Sequence, residues 1–170
     1  FVSIIGGKKV SDKILVIENL LSKVDTILVG GAMAYPFFKA LGHSVGDSFC
    51  MDEDVPVAAE LLKKAEAAGV KFLLPVDTKV ADDFSATANT KIAKLGEIED
   101  GWEGLDIGPA TADLYAAELA EAKTVVWNGP MGCFEMEPFA HGTFTVAKAL
   151  AEGDCLSIIG GGDSVSAINQ

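Results

Sequence analysis

A chain of 170 residues, 49% of them hydrophobic, is long enough to bury a core of its own, and that content excludes disorder from low hydrophobicity. With 25 acidic residues against 13 basic ones the net charge is −12, which argues against nucleic acid and against an anionic membrane as partners. All 13 basic residues are lysine, so a bound anion must be held by ammonium groups, backbone N–H groups, helix N-termini or a metal, never by a guanidinium fork.

Along the chain, short apolar runs ending in Gly, Pro or Asn alternate with helical patterns. Val2–Ile5 before Gly6-Gly7 reads as a first strand, and Ile14, Ile17, Leu20, Leu21 and Val24 then fit an amphipathic helix. Thr26–Val29 before Gly30-Gly31 reads as a second strand. Val57, Leu61, Leu62, Ala65 and Ala68 give a helix stopped at Gly69 as by a C-cap. Residues 72–74 before Pro75 read as a third strand. The stretch 77–102 is too long for a βα loop of about 2–6 residues, and Val80-Ala81 and Ile92-Ala93 within it read as short extra strands at the sheet's edge. Three more strands, at 105–107, 125–127 and 156–159, flank helices marked by Leu114, Ala117, Leu119 and Ala122 and by Phe144, Ala147 and Leu150. These runs lack polar alternation, as strands buried on both faces do. The expected fold is α/β: a Rossmann-like three-layer domain with about six strands, mainly parallel, and helices on both faces.

Cys50, Cys133 and Cys155 are widely spaced, so neither a disulfide framework nor a zinc site is expected. His43 and His141 are solitary and read as neither catalytic bases nor metal ligands. No signal peptide and no run approaching the roughly 18 apolar residues of a membrane span is present. The chain opens on an apolar run without methionine and stops in what reads as the start of a helix, so it is expected to be a piece of a longer protein.

Ligands of open α/β sheets bind at the carboxyl ends of the strands. Four of the six expected strand ends carry consecutive glycines or Asn-Gly-Pro, where a ligand can approach the backbone and a following helix N-terminus favours anions. A nucleotide or phosphate ligand is therefore expected. The first turn adds Lys9 and Lys13, four residues apart and able to face one helix start. The last, Gly160-Gly161-Gly162-Asp163-Ser164, adds exposed N–H groups and an Asp suited either to capping or to Mg²⁺. G-x-x-x-x-G-K-[ST], G-x-G-x-x-G and the protein-kinase signatures are all absent.

Six colinear motifs resemble the C-terminal, nucleotide-binding domain of phosphoglycerate kinase. They are Gly6-Gly7-x-Lys9-Val10-Ser11-Asp12-Lys13, Gly30-Gly31-Ala32-Met33-Ala34-Tyr35, Leu74-Pro75-Val76-Asp77, Gly101-Trp102-x-Gly104-Leu105-Asp106-Ile107-Gly108-Pro109, Val126-Trp127-Asn128-Gly129-Pro130-Met131-Gly132-x-Phe134-Glu135, and Gly160-Gly161-Gly162-Asp163-Ser164. The resemblance implies reversible phosphoryl transfer between ATP and 3-phosphoglycerate. It also implies that residues 1–170 are the nucleotide half of a two-domain kinase, truncated at both ends and lacking the N-terminal substrate domain. By the same resemblance Lys9, with Gly161 and Gly162, serves the transferring phosphoryl group, and Lys13 the nucleotide phosphates. Asp163 holds Mg²⁺, and the N–H groups of Gly161, Gly162 and Ser164 receive phosphate oxygens. Glu135 takes the ribose hydroxyls. Gly7, Gly30, Gly31 and Gly104 line the nucleotide slot, with Asn128, Gly129, Pro130 and Phe134 shaping it.

A monomeric, cytoplasmic enzyme is implied, with an organellar form left open. The chain alone is expected to bind Mg·ADP or Mg·ATP without turnover. Three positions depart from the family pattern: Lys8 replaces a usual alanine, Ala32 a third glycine, and Cys133 a usual valine. At Ala32 a methyl group costs on the order of 1 kcal/mol if the backbone there needs positive φ. A dinucleotide-binding module without kinase chemistry is the competing reading. It calls for an acidic residue ending the second strand, where Gly30-Gly31 stands instead.

Overall fold

The computed structural model describes residues 1–153 and 156–160. In chain order its elements are β1 (Val2–Ile5), a 3-10 turn (Val10–Lys13) running into α1 (Ile14–Leu20), β2 (Thr26–Val29), α2 (Ala34–Ala40), α3 (Asp54–Ala67) and β3 (Lys71–Leu73). There follow β4 (Asp77–Ala81), β5 (Thr90–Lys94), β6 (Glu103–Ile107), α4 (Pro109–Ala120), β7 (Thr124–Asn128), a 3-10 turn (Glu137–Phe139), α5 (His141–Glu152) and β8 (Leu156–Gly160).

Five strands form a parallel sheet in the order β3-β2-β1-β7-β8. The chain winds outward from β1 through β2 to β3, then returns to the other side of β1 as β7. The switch point of this doubly wound topology therefore lies between β1 and β7.

β1 and β2 are buried along their whole length. Alternate side chains serve opposite layers. Ile5, Ile27 and Val29 pack with Ile17, Phe37, Leu61 and Ala65 of α1, α2 and α3. Val2, Ile4 and Leu28 pack with Tyr115, Leu119, Val146 and Leu150 of α4 and α5. This is the expected three-layer arrangement.

The sheet differs from expectation in two places. The run at 105–107 is not a sixth parallel strand: β6 pairs antiparallel with β4, which pairs antiparallel with β5, making a separate three-stranded sheet. The extra strands expected at 80–81 and 92–93 are real, but they form this second sheet with β6 instead of sitting at the edge of the parallel one. Backbone pairing, not apolar content, decides which sheet a strand joins. At β8, the edge strand of the described sheet, Leu156 and Ile158 are exposed rather than buried, since no described element covers the face they share.

The second sheet is tied back by buried carboxylates. Asp77 accepts hydrogen bonds from the N–H groups of Ala110 (3.0 Å) and Thr111 (2.9 Å) and from the Thr111 hydroxyl (2.6 Å) at the start of α4. Asp106 accepts from Gly142 N–H at the start of α5 and from its neighbour Ile107 N–H, both at 2.9 Å. Each satisfies orphan N–H groups at the start of a helix.

Candidate functional site

A cleft of about 490 Å³ opens at the carboxyl ends of β1 and β2, bounded across the switch point by the loop after β7 and on its far side by the antiparallel sheet. One wall is backbone: Gly7, Gly31, Ala32 and Pro130. The other is mostly side chains: Phe49, Phe84, Glu103 and Leu105, with Gly104 among them. Lys8, Cys133 and Glu135 stand along it, and Tyr35 of α2 reaches it from beneath.

The backbone wall is three loops bonded to one another. Gly6 N–H donates to Asn128 O (2.8 Å), Gly31 N–H to Met131 O (3.0 Å) and Met33 N–H to Gly7 O (3.1 Å). Glycine is required here by loop-on-loop contact. A Cβ on Gly6 would lie 2.1 Å from Pro130 O, and one on Gly129, at φ +94°, 2.1 Å from Gly6 O. At Gly30 the obstacle is a side chain instead: a Cβ there would lie 2.3 Å from the Met131 sulfur. The glycines at these three positions thus bring the loops together rather than bare the backbone to a ligand.

Five of the residues expected at a nucleotide slot line the cleft: Gly7, Gly31, Gly104, Pro130 and Glu135. Lys9 is half-buried and opens the 3-10 turn; Lys13 ends that turn and leads into α1. The Lys13 ammonium donates to Asn128 Oδ1 at 2.5 Å, joining the loops after β1 and β7 across the switch point. Gly30 and Gly129 are buried behind the wall. Phe134 is turned into the interior against Ala140 rather than into the cleft. Gly161, Gly162, Asp163 and Ser164 lie outside the described residues, as does Cys155.

Among the described residues no non-glycine residue has positive φ, so Ala32 fits its turn without backbone strain. The Lys8 ammonium lies 4.6 Å from the centre of the Phe49 ring, a cation–π contact at the cleft. Burial, more than the neighbouring Glu135, pushes the Cys133 thiol up to about 11, so it stays protonated at neutral pH. Desolvation, then Asp83 and Asp47, raises Glu103 above the usual carboxylate range.

Phe49, Phe84 and Glu103 line the cleft from outside the quoted motifs, and Tyr35 and Leu105 stand within motifs without having been assigned to the site. A phenylalanine in the polar run Asp82-Asp83-Phe84-Ser85 was the available signal, since an exposed aromatic there has no core to serve. Tyr35 gives none, because tyrosine on a helix reads as ordinary packing.

The N-termini of the two 12-residue helices are not available to an anion, because Asp77 and Asp106 already occupy them. The anion-binding capacity of the described residues at this end of the sheet is left to loop N–H groups and to Lys8, Lys9 and Lys13. No group of three or more His, Cys, Asp or Glu side chains among the described residues is placed to hold a metal. No described helix is long and apolar enough to cross a membrane.

The family model described as phosphoglycerate kinase matches residues 1–170. A phosphoglycerate kinase of Chloroherpeton thalassium is 57% identical over 171 residues, covering 99% of this chain and 43% of that protein. One of Chloroflexus aggregans is 54% identical over 173 residues, covering 100% of this chain and 43% of that protein. The solved phosphoglycerate kinase from Coxiella burnetii superposes with a TM-score of 0.96 at 43% identity, over 99% of this chain and 43% of that one. The chain spans less than half the length of the relatives it matches.

Proposed function

Because the chain belongs to the phosphoglycerate kinase family, we propose that it supplies the nucleotide half of a reversible phosphoryl transfer, in which ATP and 3-phosphoglycerate give ADP and 1,3-bisphosphoglycerate. The observation that carries this reading is the cleft at the carboxyl ends of the parallel strands, where Gly7, Gly31, Gly104, Pro130 and Glu135 meet although they come from four separate segments.

In this reading the base enters between the Gly31 backbone and the Phe49 and Phe84 side chains. Glu135 is exposed at the cleft and accepts hydrogen bonds from the ribose hydroxyls. The phosphates run toward the loop after β1. Lys13, already fixed on Asn128, offsets their charge, and Lys9 faces the transferring group. In the transfer a carboxylate oxygen of 3-phosphoglycerate forms a bond to the γ-phosphorus as the bond to the ADP oxygen breaks. Such a reaction rests on positioning and charge neutralisation.

Mg²⁺ in phosphoryl-transfer sites is held by one or two carboxylates together with phosphate oxygens and water. Asp163 would hold it, and it would supply counter-charge to the phosphates. The 3-phosphoglycerate site belongs in this reading to a second domain, and the whole enzyme to a cytoplasmic monomer.

Calorimetric titration with ADP, with and without Mg²⁺, tests the reading. Saturable binding that Mg²⁺ tightens is expected; no binding under either condition overturns it. In the enzyme, Lys9→Ala should lower kcat far more than it weakens ADP binding. An unchanged kcat would remove Lys9 from the reaction.

A further inference from the structure

Tyr35 sits on α2 with 4% of its surface exposed, its ring tilted at 60° to that of Phe38 with the centres 5.9 Å apart. It nevertheless lines the cleft. Its hydroxyl occupies the space that a side chain at position 104 would fill: a Cβ on Gly104 would lie 2.0 Å from the phenol oxygen. Gly104 is therefore glycine at least partly to admit this hydroxyl. Its own N–H is already used by Ser48 Oγ at 2.8 Å.

The hydroxyl has no hydrogen-bond partner among the described residues, and it is not sealed off. Ser3 Oγ is the fully enclosed side-chain atom there that lacks a partner. Tyr115 shows what the fold does with a phenol that serves packing alone: its hydroxyl donates to Val29 O at 2.6 Å. A polar group brought to a largely apolar cleft and left without a protein partner costs stability unless a ligand or water completes it. Burial first, then the facing Asp106, Cys133 and Glu103, holds the Tyr35 phenol far above its usual range, so it keeps its proton and can both donate and accept.

We infer that Tyr35 is a specificity-determining residue whose hydroxyl hydrogen-bonds the polar edge of a nucleotide base seated against Gly104. The inference rests on the nucleotide reading of the cleft and extends it to the part of the ligand that carries no charge. A base nitrogen or exocyclic amino group reaching the floor supplies the missing partner, whereas the phosphates lie toward the lysines and are indifferent to it.

Tyr35→Phe removes the hydroxyl and keeps the ring. Binding of ADP and of inorganic tripolyphosphate, which has no base, is measured by calorimetry in wild type and variant, alongside Tm. Expected are a three- to tenfold weaker ADP affinity, unchanged tripolyphosphate binding and an unchanged or higher Tm, since the lost hydroxyl had no partner in the protein. Equal ADP affinity in the two proteins overturns the assignment. So does an equal loss for both ligands, or a lowered Tm, either of which marks the hydroxyl as structural. A wild type that binds no ADP at all overturns the nucleotide reading itself, and Tyr35's role with it. Binding by wild type with no change in the variant overturns Tyr35 alone.

Discussion

The two walls of the cleft are built on opposite principles. The wall from the parallel sheet is backbone, three loops interlocked so closely that Gly6 and Gly129 have no room for a methyl group. The wall facing it presents side chains, with Phe84 65% and Phe49 39% exposed. In the first wall, shape and stability are the same property, because Gly7 and Gly31, which line the cleft, also carry hydrogen bonds between the loops and rest on the close-packed Gly6 and Gly129 behind them. In the second they are separable, because the exposed aromatic rings contribute little to the core.

The strongest test of this contrast is Gly6→Ala. Its methyl group would meet Pro130 O, a backbone atom that cannot swing aside. A stability loss of about 3 kcal/mol or more is expected in denaturant unfolding. A loss below about 1 kcal/mol would show that the loops yield, and the contrast would fail.

Asp106 lies where the two regions join, and it sets a pH dependence. Burial, only partly offset by the Gly142 and Ile107 N–H groups and by Lys79, raises its carboxyl from the ordinary range up to about 8. In the unfolded chain the same group titrates near about 3.9. The folded state therefore holds the proton more tightly, and its contribution to stability is complete below about pH 4. That contribution is lost progressively as the pH rises toward 8. Urea midpoints of wild type should fall across this window for this reason. Asp106→Asn cannot ionise and should flatten that part of the slope, at a cost of about 1 kcal/mol at low pH for one lost N–H acceptor. Parallel pH profiles for the two proteins would show that Asp106 does not titrate there.

On the side-chain wall the expected pattern reverses. Phe84→Ala should move stability by no more than about 0.5 kcal/mol, given its exposure. It should weaken ADP binding several-fold through lost ring contact. A large drop in Tm would put Phe84 on the structural side of the comparison. Lys8→Ala should have the smallest effect. An exposed cation–π contact contributes about 0.5–1 kcal/mol, so a change in ADP affinity of less than about fivefold is expected by calorimetry. A larger change would make Lys8 a principal phosphate contact.

Much of this could be read from the residues. The strands at Val2–Ile5 and Thr26–Val29 coincide with their apolar runs, and Gly69 ends α3 with φ +71° as a C-cap should. The helix α2 went unread, because Tyr35, Pro36, Phe37 and Phe38 are buried together and leave no amphipathic period. At the cleft, glycine pairs marked loops that line it but not the reason for each glycine. Gly31 lines the cleft while its neighbour Gly30 is closed by Met131, and a Gly-Gly pair in a sequence does not distinguish the two.

The sequence by itself determined the alternation of strand and helix, the apolar identity of the central strands, the positions of the turns, and motifs specific enough to identify the family. Local periodicity and turn chemistry act over a few residues, so the sequence displays them directly. Tertiary structure alone decided that β6 leaves the parallel sheet, that Asp77 and Asp106 close the helix ends, and that the Tyr35 hydroxyl stands in the space at Gly104. Each of these joins residues more than 30 positions apart or depends on the direction of a strand. Strand direction and such contacts follow from hydrogen-bond pairing and packing, which composition and spacing do not encode.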